Sequence, residues 1–450
     1  MTSTYIMVDY LRKHDSAVEY IFHQRSQGHG VEYSNVPNDT DLLIILDSSS
    51  NSVEACKKLS ESMDIIIIDH HEIDVDNPHV LLVNQQQEGC DYPNKNISAV
   101  LLVHKFVELM DYNFNKVDTN YYLDLVGLGL LADSMSMLPL ENRWYVNQAL
   151  KQINNVGLLA LIKAKRLNEN KLTTFDLNFQ LIPLINSAAR MDKLEVALEL
   201  LFEKDFKKAR KLAGQMIDMN IERKEILEEL TEHCLYIMKN EKFIICVSDK
   251  TSKNFNGLVA QKLLSQFGKP AIVLQSSSNS GSFRSPSDIN LKEILNSCPY
   301  VEYAAGHAPA GGTQILPENM DKFIEWINTE LDYVELGSNI VYDLEVEEEN
   351  VDWDLIENIM EFDLVHGNGS PPITLRINNM IVDDRVLFPK SQEHVKIITE
   401  DIDILKFSDP EYAEEIDTFD IVDVVGTVSK NEFGGNKRMN LMLEDYKLHE

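Results

Sequence analysis

The triplet Asp69-His70-His71 gathers metal-binding side chains more tightly than any other stretch of the chain. A carboxylate offers two oxygens and can bridge cations, whereas a neutral imidazole offers one nitrogen. An oxygen-rich set with one or two nitrogens suits Mg2+ or, better, Mn2+. Two further aspartates sit at the ends of apolar runs, Asp47 after Leu42–Leu46 and Asp133 after Gly127–Ala132. Such carboxylates and histidines outline a centre for divalent cations. Two ions about 3.5–4 Å apart clamp the attacking and leaving oxygens of a phosphoryl displacement. Asp47, His70 and Asp133 are the candidate metal ligands. His71 and Asp69 are the candidate catalytic pair, His71 for contacting a substrate phosphate and Asp69 for orienting a histidine. An aspartate after a strand is commonly a turn or cap residue. Two histidines directly behind one at a strand end are much less often accidental.

A second group of residues could hold an anion. Gly306 and His307 lie in the glycine-rich turn Ala305–Gly312, where backbone amides can approach a phosphate closely. Arg284, followed by Ser285, could pair with a phosphate in bidentate fashion. Arg190 ends the small-residue stretch Asn186-Ser187-Ala188-Ala189, which a nucleic-acid strand could approach. These five residues form the candidate substrate-binding set. Tyr303, Phe283 and Phe433 are candidate stacking platforms, although aromatic residues more often belong to cores.

The elements that must carry these residues are legible from periodicity. Ile65–Ile68 is a β-branched run, as in a strand buried on both faces of a parallel sheet. Ligands bind at the carboxyl ends of such strands. Strands are expected near residues 18–22, 42–46, 65–68 and 80–83, alternating with helices over 52–62 and 99–110, which implies βαβ units. The chain opens directly on a helix, with no preceding strand. From about residue 120 to 238 the pattern is helical, and 205–239 reads as a long connecting helix. A second α/β block starts at Phe243. Beyond Pro372, short strands without helices fit a small OB-type barrel. At 450 residues, several domains are expected. The formal net charge of -32 argues against nonspecific coating of polyanions. Cys56, Cys90, Cys234, Cys246 and Cys298 have no metal-like spacing and read as free thiols in a reducing compartment. With no signal peptide and no long apolar run, a cytoplasmic location without membrane association is expected.

These motifs resemble the DHH phosphoesterase superfamily, and within it the RecJ single-strand-specific exonucleases. Asp69-His70-His71 is the naming motif, and Asp47 and Asp133 stand in stretches similar to the second and fourth motifs. Ala305-Gly306-His307-Ala308 resembles the Gly-Gly-His turn of the associated DHHA1 domain, with Ala305 in place of the first glycine. Pro183–Arg190 resembles a RecJ Pro-Arg-x-Asn-Ala-Ala-Gly-Arg stretch, departing at Leu184, Ser187 and Ala189. Gly367–Pro371 and Asn431–Asn436 resemble the OB-domain entrance and its late strand pair. The resemblance implies a DHH domain at 1–200, a connecting helix at 201–240, a DHHA1 domain at 241–335 and an OB-type domain at 336–450. It further implies two-metal hydrolysis of single-stranded DNA from the 5′ end with Mn2+ or Mg2+, in repair or recombination. A single-strand-binding protein or a helicase is the partner it suggests. The family's first motif, His-x-x-x-Asp-x-Asp-Gly, has no counterpart here, so the chain is expected to start just past it and the second metal site to be incomplete. The alternatives are a catalytically degenerate DHH scaffold that binds single strands, and a phosphodiesterase of short oligonucleotides or cyclic dinucleotides.

Overall fold

The computed structural model describes residues 1–14, 17–22, 30–31, 36–37, 39–112, 114, 117–237, 239–240, 242–286, 289–331, 341–388, 394–407, 415–433 and 436–449, with backbone alone at 239, 240, 432, 433 and 436. The chain divides into two compact units, Met1–Ala132 with Ala149–Gly337, and Asp133–Gln148 with Ser338–Glu450. Residues 133–148 thus group with residues 338–450, although in sequence they follow the first domain's helices.

The first unit opens with α1 (Thr2–Lys13), then β1 (Leu42–Leu46), α2 (Val53–Leu59), β2 (Asp64–Ile68), β3 (Leu81–Val83), α3 (Ala99–Asp111) and α4 (Leu123–Ala132). The three strands form an all-parallel sheet in the order β1-β2-β3. Ile65, Ile67 and Ile68 are buried, each burial contributing roughly 1.5–3 kcal/mol. Ile65 and Ile67 share a cluster with Cys56 and Leu59 from α2, so the crossover helix covers one face of the sheet. The strand expected near residues 18–22 does not form: this segment is irregular, and Ile21 and Phe22 are exposed, with no core to offset the cost of ordering them. Beyond α5 (Leu140–Lys151), which belongs to the second unit as far as Gln148, the first unit continues with α6 (Val156–Ala164), α7 (Ile182–Arg190), α8 (Leu194–Phe202) and the connecting helix α9 (Phe206–Ile237). A π-helical turn at Asp176–Leu181 leads into α7, where Pro183 supplies no amide for a regular helical bond.

The second α/β block of this unit contains β4 (Lys239–Asn240), β5 (Ile244–Ser248), α10 (Asn256–Phe267), β6 (Ala271–Gln275), β7 (Ser280–Arg284), α11 (Leu291–Ser297), β8 (Tyr303–His307), β9 (Ala310–Gln314) and α12 (Met320–Glu330). Its sheet runs β4-β5-β6-β7-β9-β8, with β5 and β6 parallel and the other neighbours antiparallel. Cys234 of α9 and Cys246 of β5 are joined as a disulfide, with Cα atoms 5.8 Å apart. This corrects the expectation of free thiols at that pair, which their sequence separation of 12 disguises. Cys56, Cys90 and Cys298 are free.

The second unit adds β10 (Leu344–Glu347), α13 (Trp353–Phe362), β11 (Thr374–Ile381), β12 (Asp384–Leu387), β13 (Val395–Ile398), β14 (Ile402–Lys406), β15 (Ile421–Phe433) and β16 (Asn436–Leu448). The strand order is β10-β11-β15-β16-β14-β13-β12. Alternation places Leu375, Ile377, Val422, Val424, Ile402 and Ile404 in one core, which Ile356 and Ile359 of α13 also enter. Among the described residues no helix is long and apolar enough to cross a membrane.

Candidate metal centre

Strand register brings the candidate residues of the first sheet together. Leu46 of β1 pairs with Ile68 of β2, so Asp47 and Asp69 emerge side by side at the carboxyl edge. The Asp47 amide extends the ladder to the Ile68 carbonyl at 2.9 Å, and the Asp69 amide reaches the Val83 carbonyl at 3.1 Å. Asp47 and Ser49 then take φ values of 66° and 78°. Left-handed backbone is costly for a residue with a Cβ and recurs where surrounding structure holds a functional loop.

Asp69 is buried, and its oxygens organise the rest. Oδ2 accepts from the Ser50 amide at 3.2 Å and the Ser50 hydroxyl at 2.8 Å. Oδ1 accepts from the His70 amide at 2.8 Å and lies 2.7 Å from His71 Nδ1. Burial favours a protonated carboxyl, but the bonds from His71 and Ser50, with the imidazole's charge, outweigh it and hold Asp69 well below the usual carboxylate range. An ionised carboxylate only accepts, so His71 Nδ1 carries the proton and Nε2 holds the lone pair of the neutral ring. The His71 side chain is 60% exposed, and the His70 side chain only 10%. His70 Nε2 lies 3.4 Å from Asp47 Oδ1. One ligand atom from each of Asp47, Asp69, His70 and His71 falls within 4.8 Å of all the others. Two carboxylates and two imidazoles at this spacing fit Mn2+ or Mg2+. Asp133 is exposed, directly follows α4, and begins the 133–148 segment of the second unit; it is not a member of the four-residue cluster.

Sequence reasoning missed the residues behind this edge. Asn84, buried just past β3, donates to the Ser50 hydroxyl at 3.1 Å and to the His71 carbonyl at 2.9 Å. It occupies the same strand-end position as Asp47 and Asp69, one strand further along, and that position was its available signal.

The second sheet gathers part of the anion-binding set. Arg284 of β7 pairs with Ala310 of β9, and Ala310 with His307 of β8, so Arg284 and His307 share one end of the sheet. Two strand spacings, about 10 Å, separate them. Gly306 has φ 120°, and a Cβ there would lie 2.7 Å from Gly311 Cα, so no other residue fits. His307 is exposed. The Arg284 guanidinium donates through Nη1 to the Phe283 carbonyl at 2.7 Å. Ser285 is buried and gives its hydroxyl proton to the Ile289 carbonyl at 3.0 Å, which ties the loop. Arg190 Nη1 donates to the Asn254 carbonyl at 2.6 Å, and Asn254 Nδ2 returns a bond to the Arg190 carbonyl at 3.1 Å. Arg190 therefore links α7 to the loop before α10. Among the aromatic candidates Tyr303 is 44% exposed, whereas Phe283 is fully buried and serves the core rather than a stacking surface. The Phe433 side chain lies outside the described residues.

Comparison with known proteins agrees with this layout. The N-terminal domain of the DHH family matches residues 1–130, and the RecJ OB domain matches residues 342–445. The single-stranded-DNA-specific exonuclease RecJ of Bacillus subtilis (strain 168) is 26% identical over 490 aligned residues, covering 100% of this chain and 60% of that protein. The chain thus spans about 60% of the length of that relative. A putative SPbeta prophage-derived single-strand DNA-specific exonuclease, YorK, from the same organism is 24% identical, with coverage of 97% and 83%. Among solved structures, RecJ in complex with Mn2+ from Thermus thermophilus superposes with a TM-score of 0.83 at 20% identity, covering 100% of this chain and 67% of that one. An exonuclease RecJ bound to manganese superposes with a TM-score of 0.61 at 24% identity, with coverage of 74% and 89%. These superpositions establish the fold.

Proposed function

We propose that this chain, with its DHH-family N-terminal domain, its RecJ OB domain and its RecJ-like fold, is a RecJ-like member of the DHH superfamily that hydrolyses phosphodiester bonds of single-stranded DNA from the 5′ end. The observation that carries the proposal is the cluster of Asp47, Asp69, His70 and His71 at the carboxyl edge of a parallel sheet. Asp47 and His70 would hold a divalent cation, and the fourth-motif resemblance assigns Asp133 the same role. Mn2+ or Mg2+ bound there would acidify water and neutralise charge developing on phosphate oxygens.

The chain's own residues orient the substrate around that chemistry. Asp69 engages His71 at Nδ1 and leaves a side chain that is 60% exposed, so that on protonation its Nε2 would donate to a phosphate oxygen. His307 and Arg284, at one end of the second sheet, would hold the neighbouring phosphates. Gly306 lets backbone approach the strand, and Ser285 keeps the Arg284 loop in place. The second unit's strands would grip the single strand through stacking and backbone contacts. The domain boundaries at 200, 240 and 335, a cytoplasmic location, and a single-strand-binding protein or helicase as companion belong to this same reading.

The test is nucleotide release from 5′-labelled single-stranded DNA with Mn2+, run beside a duplex substrate and Asp47→Ala. Metal-dependent release from the single strand, lost in Asp47→Ala by at least about a thousandfold, is expected for a ligand to the catalytic ion. Strand binding without release by the unsubstituted chain would replace the enzyme with a binding protein. Arg284→Ala should mainly raise KM, by about tenfold for one charged phosphate contact; an unchanged KM removes that contact.

A further inference from the structure

The residue after Asp133 is held in an unfavourable conformation. Ser134 has φ 52°, which residues with a Cβ avoid unless neighbours enforce it. The enforcing neighbour lies 234 positions away in sequence, within the same unit. Asn368 Nδ2 donates to the Ser134 carbonyl at 2.7 Å, and the Asn368 carbonyl accepts from the Met137 amide at 2.7 Å. One residue therefore grips both ends of the 134–137 segment.

The turn that presents Asn368 is itself tightly specified. Gly367 and Ser370 exchange backbone hydrogen bonds of 2.9 and 3.0 Å. Gly369 sits between them at φ 74°, as the third residue of a type II turn requires. A Cβ on Gly369 would lie 2.9 Å from Ser136 Oγ and 3.4 Å from Leu138 Cγ, so the turn packs against the loop with no room for a side chain. From the start of α5, Asn142 Nδ2 donates to the Ser136 carbonyl at 2.8 Å, and Arg143 donates to Ser370 Oγ at 3.0 Å and the Phe362 carbonyl at 3.2 Å.

We propose that the Gly367–Ser370 turn is a positioning clasp for the Asp133 loop, with Asn368 as its principal residue. It sets the backbone at Ser134 and Met137, and through that backbone the direction of the Asp133 carboxylate. The clasp thereby tunes how Asp133 meets a cation. The proposal rests on the reading of Asp133 as a metal ligand. Asn368 lies outside the Asp47, Asp69, His70 and His71 cluster and bonds to Ser134 and Met137, so its effect passes through the loop.

Mn2+ binding to the full 450-residue chain, followed by the electron paramagnetic resonance of free ion without DNA, tests the clasp. Thermal melts run beside it. Asn368→Ala should weaken Mn2+ affinity about tenfold, as loss of an outer-shell partner does, with melting close to that of the parent because the Met137 bond survives. Gly369→Ala should act in the same direction and more strongly; if it fails to fold, Asn368→Ala decides alone. The double variant Asp133→Ala/Asn368→Ala should bind no more weakly than Asp133→Ala, since both changes act through one carboxylate. Parent-like binding by Asn368→Ala, with Asp133→Ala weakened, would overturn the clasp and leave the ligand reading intact. Additive losses in the double variant would overturn it too. Parent-like binding by Asp133→Ala would remove the ligand reading, and the clasp with it.

Discussion

Asp69 and Asp124 are equally buried, each 1% exposed, yet their acidities are driven in opposite directions. Asp124, in the first turn of α4, accepts from the backbone amides of Leu125 at 2.8 Å, Asn154 at 2.8 Å and Asn155 at 2.7 Å. Burial nonetheless pushes its pKa up to about 6. Asp69 suffers the same desolvation, but it faces an imidazole that can carry charge and a hydroxyl that donates, and these keep it anionic. Neutral amide dipoles do not offset the lost water at Asp124, whereas a chargeable ring does at Asp69. Asp124 joins α4 to the start of α6. Asp69 orients a histidine. Burial of a carboxylate therefore says little about its purpose, and its partner says a great deal.

The contrast can be broken most sharply at Asp69. Asp69→Ala strips the acceptor from Ser50, His70 and His71 and should cost about 3–5 kcal/mol of unfolding free energy in urea titrations. A variant as stable as the parent would mean that the network holds nothing in place.

A somewhat smaller effect is expected from Asp124, and it depends on pH. Between the ordinary carboxylate pKa of about 3.9 and the folded value of about 6, the native state binds a proton that the unfolded chain has released. Stability should therefore fall as pH rises through this window, by roughly 3 kcal/mol in total, and level off above it. Asp124→Asn should lack this component. Identical pH slopes for parent and variant, measured by denaturant titration from about pH 4 to 7, would assign the dependence to other groups.

The smallest effect should come from Asn84. Asn84→Ala loses one bond to Ser50, one to the His71 carbonyl and one from the Gln86 amide, about 1–2 kcal/mol of stability. It should also move the His71 ring resonances in NMR spectra, because the backbone that aims the ring is loosened. A stability loss with unmoved His71 resonances would make Asn84 a core residue and no more.

The sheet edge was legible in the sequence because Ile65–Ile68 can satisfy its periodicity in few ways, and an acid with two histidines at its end conflicts with simple burial. The long helix over Phe206–Ile237 was legible for a similar reason, being amphipathic and uninterrupted by proline. Ser50 and Asn84 were hidden because a polar residue after a strand is ordinary until the three strands are laid side by side. Phe283 stood open between stacking platform and core, with core the commoner outcome, because an aromatic beside an arginine reads the same in sequence whether its ring faces solvent or core; alternation along β7 turns it inward. The pairing of Cys234 with Cys246 needs α9 to lie against β5, and the partnership of residues 133–148 with the Gly367–Ser370 turn needs contacts far apart in the chain. Local propensity carries neither.

The discontinuity of the second unit has a consequence during synthesis. Residues 133–148 leave the ribosome before 149–337, but their packing partners come only afterwards. At about 5–20 residues per second, Met137 waits roughly twelve to forty-six seconds for Asn368. Meanwhile Met137, Tyr145 and Val146, buried in the finished fold, lie beside a growing chain without their native cover. The order of translation thus leaves this short segment uncovered until its partners arrive, and refolding of the whole chain is expected to run slower than refolding of its first sheet.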